Sequence, residues 1–420
     1  FAFSKEDLQK HPYTFSGGYH LLLNLAKALI QVPNCLLLDD PNNYLDIISI
    51  RWIERFLKKW PKEFVIISHD RFFLNSVCNH MMGLHRKKLF FVRGTTEDLF
   101  NKIIEEEKVY EKSRDKLEKK KQHLSKYIER FGAKATKAKQ AQSKQKAIDK
   151  MENVEKLSEL ENLVFKFHEA PFYGSILLQA KEISFSYDKP LINDFSLQVE
   201  KGEKVAIIGK NARGKSTLLR LLIKDLIPNE GSVQHKTNLA LGYFGQTHID
   251  TLVGNSSIEE EVLSANPKLS ITEVRSICGL MLFSQDRAKK KIEVLSGGER
   301  SRVLLAKIIA KPCNLLLLDE PTHHLDIESI GALVEAINNS SQSIIMVTHD
   351  ESILKKLTFT KIVYCHDQGQ ITFLGNYQEF LDKIGFKEEK IMKAPKEAKP
   401  KPRNLSLQKE VKQIQTKLQL

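Results

Sequence analysis

The segment KVAIIGKNARGKSTLLRLLI, residues 204–223, decides the fold that this sequence predicts. Its start, KVAIIG, is typical of a buried strand, its middle, Gly209–Thr217, of a glycine-rich loop, and its end, LLRLLI, of a helix. This order is that of a phosphate-binding loop, because glycines let backbone N–H groups surround phosphates and the helix adds the positive end of its dipole. We therefore expect an α/β fold that binds a nucleotide.

The loop carries side chains suited to a nucleotide and its metal ion. Lys215 is expected to contact the β- and γ-phosphates, and Ser216 to hold Mg²⁺. The other loop positions expected to contact the nucleotide are Gly209, Asn211, Gly214 and Thr217. The alternative is a glycine-rich turn that arose by chance, and the motifs downstream argue against it.

Two carboxylates follow a second apolar run, NLLLLDEP at residues 314–321. A strand that is apolar on both faces belongs inside a parallel sheet. We expect Asp319 to bind Mg²⁺, directly or through water, and Glu320 to orient or deprotonate the attacking water. Two acids after a strand more often cap the next helix, but a phosphate-binding loop earlier in the chain favours the catalytic interpretation.

A histidine and a glutamine complete the predicted catalytic set. His349 follows a third strand, SIIMV, where it can contact the γ-phosphate and position the nucleophilic water, although a histidine at a strand end is usually structural. Gln246, in LGYFGQ, can sense Mg²⁺ and the γ-phosphate, and by itself this glutamine is a weak signal.

Three motifs occur twice, each pair separated by the same 280 residues. FSGGYH at 15–20 recurs as LSGGER at 295–300, LLLDDP at 36–41 as LLLDEP at 316–321, and SHD at 68–70 as THD at 348–350. A constant offset indicates a duplicated domain. The phosphate-binding loop would have its counterpart before residue 1, so we expect the chain to begin inside a first copy that lacks its phosphate-binding half.

The motif LSGGE suggests a second anion site in each copy. Ser296 precedes a helical run as its N-cap, and Gly297 and Gly298 expose backbone donors at the start of that helix. Since the second copy already has a phosphate-binding loop, this second site suggests a nucleotide held between the two copies.

Charge and composition restrict the class of protein. The chain of 420 residues carries a formal net charge of +13 and five cysteines, which form no CxxC pair. The absence of a disulfide or zinc pattern predicts a reducing, cytoplasmic location. The first residues, FAFSKEDLQK, do not resemble a signal peptide, and no apolar run is long enough for a membrane helix.

Basic residues are concentrated between Lys119 and Lys150, where eleven of them are opposed only by Glu129 and Asp149. The apolar residues before and within this stretch recur every seven positions, at Ile103, Tyr110, Leu117, Leu124 and Phe131. This spacing predicts an antiparallel helical hairpin with a turn near residues 131–136 and lysines at its tip. The alternative is a solvated spacer, but so local a charge favours a nucleic-acid partner.

Together these motifs resemble those of ATP-binding cassette proteins. Two cassettes joined by a charged helical linker resemble the ABC-F family, and RFGAKATKAKQAQS at 130–143 is very like the linker tip of its bacterial YheS branch. The resemblance implies an ATPase that uses ATP and Mg²⁺ and contacts the ribosome, its rRNA and tRNA, through the basic linker. DNA is a possible alternative partner.

The resemblance also assigns further residues. Tyr187, in FSYDKP, matches the aromatic residue that stacks on adenine, and Asp326 matches the loop that communicates between the two nucleotide sites. Pairing of the cassettes within the chain would bring the first-copy motif, Ser16, Gly17 and Gly18, over the nucleotide held by the second copy.

Two departures from the family pattern bear on activity. Ala212 replaces a glycine of the loop, which is unfavourable if the position needs a positive φ. Asp40 replaces the catalytic glutamate in the first copy, and its shorter side chain withdraws the carboxylate. The first copy is therefore interpreted as eroded and the second as competent.

The predicted organisation has four parts. Residues 1–95 form the C-terminal part of the first cassette, 96–165 the helical linker, 175–385 a complete second cassette, and 386–420 a Lys/Pro-rich tail that begins a coiled coil. The alternatives to a ribosome-associated ATPase are the ATP-binding subunit of a transporter and a non-hydrolysing remnant that binds RNA or DNA. A transporter subunit needs no long basic arm, so the linker argues against the first of these.

Overall fold

The computed structural model describes residues 9, 11, 17–31, 33–42, 45–131, 143, 167–245, 252–283, 285–322, 325 and 327–386. The helices in chain order are α1 (Gly17–Ile30), α2 (Ile47–Lys58), α3 (Arg71–Val77), α4 (Thr96–Phe131), α5 (Lys215–Leu222), α6 (Ile258–Ala265), α7 (Ile271–Leu280), α8 (Gly297–Ala310), α9 (Ile327–Asn339), α10 (Glu351–Lys356) and α11 (Tyr377–Lys383). The strands are β1 (Cys35–Asp39), β2 (Glu63–Ile67), β3 (His80–His85), β4 (Lys88–Arg93), β5 (Ile176–Ser186), β6 (Pro190–Glu200), β7 (Lys204–Gly209), β8 (Glu230–His235), β9 (Leu241–Phe244), β10 (Leu315–Asp319), β11 (Ser343–Val347), β12 (Lys361–His366) and β13 (Gly369–Leu374).

The second copy is an α/β unit built on a six-stranded sheet in the order β13-β12-β7-β11-β10-β9. All neighbours are parallel except β13, which pairs antiparallel with β12. An antiparallel sheet, β6-β5-β8, covers one face of this sheet. The predicted α/β fold is confirmed: the predicted strand at 204–209 is β7, and β10 lies within the predicted apolar run at 314–321.

The six-stranded sheet is buried on both faces, as the apolar runs of its strands predict. Leu316 and Leu318 of β10 pack with the helices on one side, while Leu315 and Leu317 pack under the antiparallel sheet on the other. Phe167, outside the predicted boundaries of the linker and the cassette, belongs to the first of these cores. The strand that leads into the phosphate-binding loop, β7, is likewise buried from Val205 to Gly209.

The described part of the first copy repeats two of these strands. β1 pairs with β2 in parallel from Cys35↔Glu63, and β10 pairs with β11 from Leu315↔Ser343, which is the same register displaced by 280 residues. Yet Leu37 is 78% exposed while its counterpart Leu317 is fully buried. The reason is that the described part of the first copy has no counterpart of the antiparallel sheet that covers Leu317.

The predicted arm begins as one long helix, α4, of 36 residues. Its first turn is fixed to α3, because the backbone N–H of Thr96 donates to Asn75 Oδ1 at 2.9 Å. The seven-residue spacing from Ile103 to Phe131 lies entirely on α4. The predicted turn, the second helix of the hairpin and the tail from 387 onward lie outside the described residues, as do all six lysines from Lys134 to Lys150.

Within the described residues, no helix combines the length and the apolarity that crossing a lipid bilayer requires.

Candidate nucleotide-binding and catalytic site

The loop at Gly209–Thr217 joins β7 to α5 at the end of the sheet, as the sequence predicts. Gly209 has a φ of 134°, and a Cβ at this position would lie 2.0 Å from the carbonyl oxygen of Cys365 on β12, so only glycine fits. Gly214, directly before α5, has a φ of 87°. Ala212 has a φ of 59°, which confirms that this position requires the left-handed region.

Lys215 is buried at the start of α5, with 7% of its surface exposed. Its Nζ donates to the carbonyl oxygens of Lys210 at 2.7 Å and Gly209 at 3.1 Å, and to Asn211 Oδ1 at 3.3 Å. Burial lowers the pKa of Lys215, and Glu320 opposes this shift. The ammonium is thus held inside the curve of the loop, where phosphate oxygens would meet it.

Ser216 and Asp319 lie together beside this lysine. Burial raises the pKa of Asp319, and a hydrogen bond from the Ser216 side chain and the charge of Lys215 oppose the shift. A hydroxyl oxygen and a carboxylate oxygen at one point are the hard ligands that Mg²⁺ prefers. The donor set therefore fits the Mg²⁺ role predicted for these two residues.

Glu320 sits next to Asp319 on a strained turn, with a φ of 49°. Burial, together with the neighbouring Asp319, raises the pKa of Glu320 to about 8, and Lys215 opposes the shift. His349 Nε2 lies 3.3 Å from Glu320 Oε1, and the backbone N–H of His349 donates to Glu320 Oε2 at 3.3 Å. His349, which follows β11, is therefore in direct contact with the Glu320 carboxylate and orients it.

A residue of the first copy reaches the phosphate-binding loop of the second. Asp46 Oδ2 accepts a hydrogen bond from the backbone N–H of Asn211 at 3.0 Å, while its Oδ1 caps α2 by accepting from Ser49 N at 2.8 Å. The sequence reasoning singled out the counterpart, Asp326, and missed Asp46. The repeat could have identified Asp46, because NNYLDI and THHLDI align with the 280-residue offset and place Asp46 opposite Asp326.

A cavity of about 410 Å³ lies between the two copies. Its walls include six pairs of residues related by the 280-residue offset, among them Asp40 and Glu320, His69 and His349, and Asp70 and Asp350. Equivalent residues of the two copies thus face one cavity, which is the arrangement expected of copies that pair about a pseudo-twofold axis. His69 is exposed whereas His349 is 8% exposed, so the two halves of the cavity differ in burial.

The second LSGGE motif forms the helix start that the sequence predicts. Ser296 caps α8 by accepting from Glu299 N, and the Glu299 side chain accepts from Ser296 N at 2.9 Å. Gly297 and Gly298 form the first turn of α8, and a Cβ at Gly297 would meet no atom within 4 Å. The steric freedom of Gly297 leaves this helix end accessible to a ligand.

The remaining predicted residues divide into two groups. Tyr187 is 59% exposed and packs edge-on against Phe185, with 5.0 Å between ring centres, so its face is accessible to a base. Gly17 and Gly18 begin α1. Ser16, Gln246 and Asp326 lie outside the described residues.

A buried lysine directly after a glycine loop, two acids at the end of β10 and an LSGGE helix together define the nucleotide-binding unit of an ATP-binding cassette. Two family models, both described as ABC transporter, match residues 192–323 and, for an extension of the cassette, residues 82–167. The model of the extension thus begins in the first copy and covers α4.

Relatives with similar sequences identify one family among the ATP-binding cassette proteins. The chain is 36% identical over 371 residues to a probable ATP-binding protein of Escherichia coli O157:H7, YbiT, covering 88% of this chain and 70% of the relative. It is 33% identical to YheS of Escherichia coli K12, covering 94% and 63%, and 33% identical to human ATP-binding cassette sub-family F member 3, covering 90% and 54%. The chain belongs to the ABC-F family of ATP-binding cassette proteins. It spans less than two thirds of the length of YheS.

Proposed function

We propose that this protein binds ATP with Mg²⁺ between its two copies, hydrolyses it, and uses the hydrolysis cycle to control contact of the basic arm with the ribosome. Lys215 and the loop amides hold the phosphates, and Tyr187 stacks on the adenine. Ser216, Asp319 and Gln246 hold Mg²⁺, which supplies positive charge to the phosphates. Ser16, Gly17 and Gly18 of the first copy close over this nucleotide.

One observation carries the proposal: the convergence of Lys215, Asp319, Glu320 and His349 at the loop, with Asp46 of the first copy on the loop backbone. A carboxylate with a raised pKa is a stronger base, so Glu320 is suited to accept a proton from water once it is deprotonated. His349 holds that carboxylate through its ring and its backbone N–H. The contact of Asp46 with Asn211 makes this geometry depend on pairing of the copies.

The proposed domains are the C-terminal part of the first cassette at 1–95, the helical linker at 96–165, the second cassette at 175–385 and the tail at 386–420. The arm supports the ribosomal part of the proposal, since its sequence joins a long helix to a lysine-rich stretch. Such a stretch binds phosphate backbones with little sequence preference and with a strong dependence on salt.

The test compares the wild-type chain with Glu320→Gln. Loss of a general base is expected to reduce ATP turnover by about 10²- to 10⁴-fold while leaving ATP binding intact. Trapping of the ATP state should then raise the fraction that co-sediments with ribosomes in ATP. Lys215→Ala is the control, because it removes nucleotide binding and should abolish both turnover and the ATP-dependent increase.

A second comparison isolates the arm. Lys119→Glu with Lys120→Glu changes two exposed residues of α4 at the start of the basic stretch, and Lys112→Glu with Lys116→Glu changes two exposed residues of the same helix before it. The first pair should weaken ribosome binding and its salt dependence while the second has a smaller effect. Equal effects of the two pairs, or no ATP-dependent increase with Glu320→Gln, would count against a ribosomal role.

A further inference from the structure

Arg51 of α2 contacts three residues of the second copy. Its guanidinium forms an ion pair with Glu351 at the start of α10, and its Nη2 donates to the hydroxyl of Tyr377 at 3.4 Å. The guanidinium carbon also lies 4.9 Å from the ring centre of Phe386. The side chains of Arg51 and Glu351 are 19% and 11% exposed, so the pair is largely removed from water.

Arg51 also acts on a second carboxylate besides Glu351. Glu54, one turn further along α2, faces Glu351, and burial followed by the charge of Glu351 raises the pKa of Glu54 while Arg51 opposes the shift. Lys355 Nζ lies 3.2 Å from Glu351 Oε2 and 3.8 Å from the ring centre of Phe72 on the first copy. The charge of Arg51 therefore acts on two carboxylates that belong to different copies, Glu54 and Glu351.

The positions related to this pair by the 280-residue offset carry different residues. Gly331 on α9 corresponds to Arg51, and Arg71 on α3 corresponds to Glu351. Arg71 lies over the ring of Phe100 on the arm, 4.3 Å from its centre. A Cβ at Gly331 would meet no atom within 4 Å, so packing of the described residues does not account for the missing side chain.

With pairing about a pseudo-twofold axis, the residues that would meet at this contact can be derived for each possible pair of copies. In a pair of first and second copies, Arg51 meets Glu351. In a pair of two first copies, from two chains, Arg51 would meet Arg71 at both symmetric contacts. In a pair of two second copies, Glu351 would meet Gly331 and lose its cation from across the interface.

We infer that Arg51 is a specificity-determining residue, which selects a second copy as the partner of the first copy and rejects another first copy. The attractive pair occurs in one arrangement and the repulsive pair in another, and discrimination of partners often combines the two. This inference rests on the pairing of copies in the proposed function and adds to it the residue that decides which copies pair. It depends on neither ATP hydrolysis nor ribosome binding.

The chain supplies its own probe for the test. Both tryptophans, Trp52 and Trp60, belong to the first copy, so urea unfolding followed by tryptophan fluorescence reports the stability of that copy within the full-length chain. Arg51→Glu and Glu351→Arg should each lower the pairing constant on the order of 10- to 100-fold, because each leaves like charges in a desolvated contact. Each variant should therefore unfold at lower urea, and the double exchange Arg51→Glu/Glu351→Arg should recover at least half of the loss.

Lys59→Glu is the matched control, since it makes the same charge reversal at an exposed residue after the same helix. It should shift the midpoint far less than Arg51→Glu. If a single charge reversal prevents folding, Arg51→Met, Glu351→Met and their combination give the same coupling without introducing a like charge. Midpoint losses that simply add in both double variants would overturn the inference.

Sedimentation of the full-length chains tests whether Arg51 prevents the first copies of two chains from pairing with each other. Arg51→Glu should increase self-association several-fold, because it turns the repulsion with Arg71 of another chain into attraction, and adding Arg71→Glu should remove the increase. An unchanged mass for Arg51→Glu would contradict the rejection. A chain that lacks ATPase activity but shows this charge coupling would refute the proposed function and leave this inference standing.

Discussion

Asp70 is expected to make the pairing of the two copies depend on pH. Its Oδ1 caps α3 by accepting from Phe73 N at 3.0 Å, and its Oδ2 accepts from Asn42 Nδ2 at 3.4 Å. Burial, followed by the charge of Asp350 across the interface, raises the pKa of Asp70 from 3.8 to about 7. A carboxyl whose pKa is raised on folding favours the folded state in its protonated form, so stability should decrease as pH rises from about 4 through about 7.

The magnitude follows from the shift. A rise of about 3 pKa units corresponds to ~4 kcal/mol, an upper limit because the side chain is not fully buried and shares its environment with Asp350. We expect about half of this, on the order of 2 kcal/mol, to appear in the free energy of unfolding. Asp70→Asn should remove that part of the pH dependence and stabilise the chain above pH 7, since asparagine retains the capping oxygen and carries no charge.

The assay is urea unfolding followed by tryptophan fluorescence between pH 5 and 8, for the wild type, Asp70→Asn and Asp350→Asn. Asp350 also caps its own helix, through Ser352 N at 2.7 Å, so the second variant retains a cap while removing the opposing charge. Asp350→Asn should move the wild-type slope to lower pH. A slope that is the same in the wild type and in Asp70→Asn would refute the reasoning.

Two further predictions concern the loop. Asp46→Ala removes the acceptor of Asn211 N and the cap of α2, whereas Asp46→Asn keeps one acceptor oxygen, enough for the cap but not for both bonds. Both variants should reduce ATP turnover, and wild-type turnover in Asp46→Asn would show that the bond to Asn211 N is unimportant. Ala212→Gly should change ATP affinity by less than about 3-fold, because the folded loop already holds a φ of 59° and the strain of about 1 kcal/mol belongs to folding rather than to binding. Titration with a fluorescent ATP analogue measures this affinity, and a tenfold gain would mean that the strain arises on binding.

The sequence predicted the parts of the site that depend on local backbone geometry. Gly209 and Gly214 have the positive φ values that their motif requires, Ser296 caps its helix, and Asp319 ends a strand that is buried throughout. These features follow from steric rules and from hydrophobic periodicity, both of which act over a few residues. Even the strain at Ala212 could be anticipated from one missing glycine.

Contacts between the copies could not be predicted in the same way, because they join residues that no local pattern relates. Asp46 and Asn211 are 165 positions apart, and Arg51 and Glu351 are 300 apart. An aspartate before a helix predicts a cap, and Asp46 is one, but its second oxygen has a partner that depends on how the copies pair. The repeat could have suggested such contacts only once the pseudo-twofold axis was known.

The two copies also show that an equivalent backbone does not imply equivalent chemistry. Asp40 has a φ of 40° and Glu320 a φ of 49°, so the turn after the strand is retained in both. In each copy this turn is fixed by a backbone hydrogen bond to the neighbouring strand, from Asp40 N to Ile67 O and from Glu320 N to Val347 O. The carboxylate of Asp40 must therefore fall short by the length of one methylene, over 1 Å, a misplacement that can reduce a rate about 100-fold. The same backbone turn thus carries a shorter acid in the first copy than in the second, and the longer acid, Glu320, lies on the side of the cavity where His349 is buried.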